Sequence, residues 1–216
     1  MNTNSKAVRR GSQFLRWCSR ACILTGIAAL GVYTFLWAEA LQYQALRHRR
    51  FDATPIAAAA TEAPGCSGLA ASPDASLGKL EIPSLGLSVI VLEGDDPHTL
   101  RLGAGHIPGT AWVGSSGNVA IAAHRDTFFR KLRGIHDNDA IQLTTLDASY
   151  SYIVESARVL APSRTEILDN GTEPTLTLIT CYPFYYVGPA PYRFVVRARQ
   201  VSTTLRSVST CSAQGN

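Results

Sequence analysis

The chain has 216 residues, 46% of them hydrophobic and 17% charged, which is room for one ordinary domain with accessory segments but not for two full domains. Its net charge of +4 lies in residues 1–40, where Lys6, Arg9, Arg10, Arg16 and Arg20 face Glu39 alone; the remainder carries fifteen basic and fifteen acidic residues. A phosphate-binding protein needs its cations on the folded domain, so this distribution argues against a nucleic-acid partner.

Residues 21–38 are uncharged and are bounded by Arg20 and Glu39. As a helix they would span roughly 27 Å, close to the ~30 Å hydrocarbon thickness of a bilayer. Trp17 and Trp37 lie near the two ends, where amphipathic rings prefer the headgroup region. Basic residues precede the run, so residues 1–20 are expected to be a cytoplasmic segment and everything after Glu39 to lie outside. Arg47, Arg49 and Arg50 on the outer side weaken that signal. A cleaved signal peptide is the alternative, since Ala38-Glu39-Ala40 has a small-x-small pattern, but the apolar run exceeds the usual length. The expectation is therefore an uncleaved signal anchor over 21–38, in a membrane-embedded protein.

Residues 39–76 read as a juxtamembrane segment and flexible linker. The charged stretch 41–50 can continue the helix outward, whereas 51–76 holds four consecutive alanines with Pro55, Pro64 and Pro73 and no apolar period. Residues 77–201 form the expected domain and 202–216 a tail.

Strand-like segments follow at 77–82, 87–92, 118–123, 140–145, 150–159, 175–180 and 193–201. Short helical turns are expected at 97–102, introduced by Asp95-Asp96, and at 127–132, with Asp126 as N-cap. Seven short strands with Gly/Pro-rich joints predict a mainly β fold, a closed or nearly closed barrel. A two-sheet sandwich is the competing arrangement.

Of the five cysteines, Cys18 and Cys22 belong to the membrane segment, Cys66 to the linker and Cys211 to the tail. That spread fits neither a disulfide scaffold nor a metal site. Cys181 is the domain's single cysteine. It ends the strand 175–180 on the face of Thr175, Thr177 and Ile179, opposite Leu176 and Leu178, and a loop follows it. A packing cysteine should point with the leucines into the core, but on this pattern alone Cys181 is either a buried packing residue or a nucleophile. Arg193 opens the next strand directly after that loop, whereas Arg197 and Arg199, on the same face, read as solvated barrel exterior.

The apolar strand 118–123 delivers His124 at its end, with Ala120, Ala122 and Ala123 leaving space around it. His106 is a competitor, because it sits in a Gly-rich loop that could line a cleft; His48, His98 and His136 read as exposed. Cysteine, histidine and arginine together suit acyl transfer. The thiolate is the reactive nucleophile, and an arginine is a permanent donor to a developing oxyanion.

Thr177-Leu178-Ile179-Thr180-Cys181 resembles the nucleophile segment of sortases, Ala123-His124-Arg125-Asp126-Thr127 their histidine segment, and Arg193 falls where their arginine follows the cysteine. Residues 103–110 and Thr180-Cys181-Tyr182-Pro183-Phe184 look most like the class D branch. Ala123 departs from the pattern, since many members have glycine there; a methyl group is tolerable where φ is negative.

The resemblance implies a closed eight-stranded sortase β-barrel and a membrane-anchored cysteine transpeptidase. Its implied substrates are surface proteins with a C-terminal LPxT-type sorting signal. The implied acceptor is an amine, from a peptidoglycan precursor or a protein lysine. Cys181, His124 and Arg193 are the implied catalytic residues. No cofactor and no metal are expected. A thiol hydrolase that releases the peptide to water, and an inactive peptide-binding barrel, remain alternatives.

Overall fold

The computed structural model describes residues 4–52 and 76–206, with side chains described for 17, 19–48 and 76–206. Cys66, Cys211 and most of the expected linker lie outside the described residues. The chain divides into two units, Met1–Gln42 and Tyr43–Asn216.

Helix α1, Asn4–Asp52, is continuous through the expected span and beyond it at both ends. Its stretch Ser19–His48 is long and apolar enough to cross a membrane. Ile23, Leu24, Ile27, Leu30 and Phe35 are exposed there. The charged continuation at 41–50 is helical as expected.

The second unit holds the strands β1 (Ser76–Ile82), β2 (Leu87–Glu93), β3 (Ala104–His106), β4 (Asn118–Ala122), β5 (Ala140–Thr144), β6 (Ala148–Leu160), β7 (Thr175–Tyr182) and β8 (Tyr192–Leu205). They close in the order β1-β2-β3-β4-β7-β8-β6-β5, so the arrangement is a barrel and not a sandwich. Alternation fills it: Leu80, Ile82, Val89, Val91, Val119, Ile121, Leu176, Leu178, Val196 and Ala198 all point into one core. β8 runs past the expected boundary at 201, through Leu205, because Ala148–Ser151 of β6 continue the ladder there.

The strand beyond the seven expected is β3, which pairs parallel with β2 (Val91 with Ala104) and antiparallel with β4. Ala104-Gly105-His106 is too short and too poor in β-branched residues to announce a strand. Gly105 is required by close approach, since a Cβ there would lie 2.1 Å from the Gly94 carbonyl oxygen.

The first expected turn is helix α2, Pro97–Leu102, capped by Asp96, whose Oδ1 accepts from the His98 and Thr99 amides at 2.9 and 3.2 Å. The Thr99 hydroxyl and amide hold the Asp96 carboxyl below its usual range. The second turn differs from expectation. Phe128–Gly134 is a 3-10 segment whose N-cap position is Thr127, with no side-chain cap hydrogen bond, so Asp126 does not cap it. Burial of Phe129 and Leu132 in the core holds this segment instead.

Tyr43 and Gln44, expected in the juxtamembrane helical segment, pack within the barrel unit. Tyr43 covers Ile90, Leu92 and Leu102 on the outside of the barrel. Gln44 is buried; its Nε2 donates to the Leu102 carbonyl at 2.6 Å and its Oε1 accepts from the Ile90 amide at 2.9 Å. Gln44→Ala should therefore destabilise the barrel by about 1–3 kcal/mol, the cost of leaving buried backbone groups unpaired. Denaturant unfolding of the detergent-solubilised chain reads this directly, and an unchanged midpoint would show the contact to be dispensable.

Candidate active site

The parallel ladder between β4 and β7 pairs Ala120 with Thr177 and Ala122 with Ile179. Two residues further along both chains, the same register sets His124 level with Cys181. The pairing persists past the end of β4: the Ala123 amide donates to the Ile179 carbonyl at 3.2 Å, and the Thr180 hydroxyl donates to the Ala123 carbonyl at 2.7 Å. On the other side of β7 the antiparallel ladder with β8 pairs Cys181 directly with Arg193. His124, Cys181 and Arg193 thus occupy one row across three neighbouring strands, with the cysteine in the middle. Adjacent strands lie ~4.8 Å apart, so both flanking side chains are within reach of the thiol.

All three residues line one cleft of about 330 Å³. His124 is exposed, while Cys181 and Arg193 are half-buried. The Arg193 guanidinium is steadied by the chain that precedes it, donating through Nη1 to the carbonyls of Ala190 and Tyr192 at 3.3 and 3.1 Å. Ala122, Ala123 and Ile179 also line the cleft. Ala123 is accommodated without strain, because Asn138 is the only non-glycine residue with positive φ among the described residues.

His106 is elsewhere. It is 1% exposed, its Nδ1 meets Glu93 Oε2 at 2.9 Å, its Nε2 lies 3.0 Å from the Ala111 carbonyl oxygen, and its ring stacks on Trp112. Its bonds are those of a buried structural histidine. Arg197 and Arg199 are exposed on β8, and Arg199 pairs with Glu155 at 3.5 Å.

Several site-forming residues were not singled out in the sequence. Ile167 and Leu168 build the far wall of the cleft from the connection between β6 and β7. They are an apolar pair in an otherwise polar run, which is the one signal they carry. Asn118, fully buried, holds that wall: its Nδ2 donates to the Ile167 carbonyl at 2.8 Å, and its Oδ1 accepts from Thr177 Oγ1 at 2.7 Å. The threonine face of β7 is therefore covered, not solvated. Arg125 ties the histidine segment to the β7–β8 loop by donating from Nη2 to the carbonyls of Tyr186 and Gly188 at 2.7 and 2.9 Å. Among the described residues no group of three His, Cys, Asp or Glu side chains could hold a metal ion.

Comparison with known proteins decides the family. The sortase domain description matches residues 80–201, more than half of the chain. The chain belongs to the sortase family. Sortase D of Bacillus subtilis (strain 168) is 31% identical over 126 residues, 58% of this chain and 64% of that protein. Sortase A of Listeria monocytogenes is 30% identical over 112 residues, 50% of each chain. This sortase thus spans less than two thirds of the length of these curated relatives. Among solved structures, a sortase D5 transpeptidase of Clostridium perfringens superposes with a TM-score of 0.54 at 28% identity, covering 59% of this chain and 79% of that one. Sortase E1 of Streptomyces coelicolor, solved with a tripeptide in its active site, gives a TM-score of 0.56 at 27% identity, covering 63% and 94%. The eight-stranded closed barrel is the shared fold.

Proposed function

We propose that this sortase is a membrane-anchored cysteine transpeptidase in which Cys181, His124 and Arg193 are the catalytic residues. The observation that carries the reading is the single row His124–Cys181–Arg193 at the head of one cleft. The proposed substrate is a surface protein with a C-terminal LPxT-type signal. The Cys181 thiolate attacks the threonine carbonyl, and a carbon–sulfur bond forms. His124 gives its proton to the leaving nitrogen as the peptide bond breaks, which leaves a thioacyl-enzyme. An acceptor amine then attacks the thioester, His124 takes the amine's proton, and the carbon–sulfur bond breaks to release the Cys181 thiolate beside a protonated His124, as at the start. Arg193, always cationic, donates to the oxyanion of each tetrahedral intermediate. No cofactor takes part in these steps. The apolar helix is the proposed anchor, with its basic end in the cytoplasm and the barrel outside. The acceptor is an amine of a peptidoglycan precursor or of a protein.

The test is mass spectrometry of the detergent-solubilised chain incubated with a panel of Leu-Pro-x-Thr-x peptides, with and without hydroxylamine or triglycine. The expected result is a thioester at Cys181 and an amine-capped product that grows with amine concentration. Cleavage giving the free acid alone, unaffected by amine, would make the protein a hydrolase. Binding without any adduct would make it a peptide-binding barrel.

A further inference from the structure

Beside the catalytic cleft, on the same outer face of the sheet, lies a second cavity of about 360 Å³ that the proposed chemistry does not use. Its place follows from the strand registers. The outward row that holds Cys181 continues through Arg193 to Leu160; the next is Ile179, Val195 and Arg158, and the one after is Thr177, Arg197 and Ser156. Each row is two residues, so ~7 Å, further along the strands. Arg158 and Arg197 are diagonal neighbours across β6 and β8, within joint reach of one small group. Arg164 and Ile167 line both cavities, so the two adjoin across these side chains.

The charge of this cavity is one-sided. Residues 76–206 carry twelve basic and twelve acidic side chains, so the barrel as a whole is neutral. Here the charged lining is Arg158, Arg164 and Arg197 against Glu155 alone. Glu155 is already engaged by Arg199 at 3.5 Å, and Arg164 pairs with Glu166. Arg158 and Arg197 have no ion-pair partner among the described residues. Arg158 and Arg197 are both exposed, and Val195 and Thr177 beneath them are buried, at 6% and 1% exposure. Two planar donors side by side suit a carboxylate, which can take them in bidentate fashion.

We propose that this cavity is an anion subsite for a carboxylate belonging to one of the two peptide substrates. The proposal rests on the transpeptidase reading above. An extended peptide advances ~3.4 Å per residue, so the carboxylate would lie about two to four residues from the carbonyl at Cys181. Its source is either the sorting-signal peptide or the amine acceptor.

Binding to the full-length Cys181→Ala protein, measured by fluorescence anisotropy, separates the sources. One arm compares Leu-Pro-x-Thr-x peptides bearing Glu or Gln two to four residues from the threonine, on either side. The other arm compares triglycine with triglycinamide, each as a competitor of a neutral labelled peptide. The carboxylated form should bind ~10-fold more tightly in one arm, the scale of one charge-assisted hydrogen-bond pair. That preference should shrink with added salt, disappear in Arg158→Gln/Arg197→Gln, and persist in Arg199→Gln. The arm that shows it identifies the source. Equal binding of acid and amide forms in both arms, or a preference that survives the double substitution, overturns the subsite. A protein that shows the preference but forms no thioester in the Cys181 form overturns the transpeptidase reading instead.

Discussion

His124→Ala is expected to lower peptide turnover by about 10²–10⁴-fold, the usual contribution of a positioned acid–base group, while leaving the barrel folded. The reason lies in the register. His124 follows β4 at the level of Cys181, on an exposed turn beyond the last core residue, so its removal opens no cavity in the barrel. His106→Ala should behave in the opposite way. That histidine is buried between Glu93, Thr110 and the Ala111 carbonyl, so its loss leaves buried polar groups unpaired and lowers stability. Thermal unfolding and turnover measured side by side distinguish the two. A His106→Ala protein that unfolds like the parent yet has lost turnover, beside an active His124→Ala protein, would move the site.

The readable part of this site was local. In Thr175–Tyr182 the two faces of one strand separate cleanly, and the cysteine falls on the face away from Leu176 and Leu178. Arg193 was placed by its position after the same loop. What brings His124 to them is the parallel pairing of β4 with β7, a contact between segments more than fifty residues apart, and no local pattern encodes such a partner choice. The same limit hid Asn118, which reads as an ordinary polar residue at a strand start. Its value comes from bridging Thr177 and the Ile167 carbonyl, and both partners arrive from distant chain. β3 was lost for another reason: close backbone approach demanded glycine, and glycine erased the strand-forming composition. Gln44 looked like one more polar residue of a juxtamembrane helix. Only the barrel supplies the orphan amide of Ile90 and carbonyl of Leu102 that give it a task.

Arg193→Lys is expected to fold normally and to lose roughly 10²–10³-fold in acyl transfer, the scale of deleting one oxyanion donor. Charge is conserved in this substitution, so what it removes is shape. The Arg193 guanidinium spends Nη1 on the carbonyls of Ala190 and Tyr192, and these bonds fix the plane of the group beside the thiol. The remaining N–H groups of the fork are left for a ligand in the cleft. A lysine ammonium has three donors on a flexible stem and no plane to fix, so it cannot hold the same two carbonyls and also present a rigid donor towards Cys181. Arg199→Lys is the matched comparison, because Arg199 stands on the same face of β8 but three rows from the thiol and pairs with Glu155 at the surface. It should be nearly silent, since an exposed pair of this kind contributes little. Cleavage of one neutral peptide by both variants gives the answer. A rate for Arg193→Lys near that of the parent would leave only a requirement for positive charge. If Arg199→Lys were the defective variant, the catalytic arginine would have to be sought further down the strand.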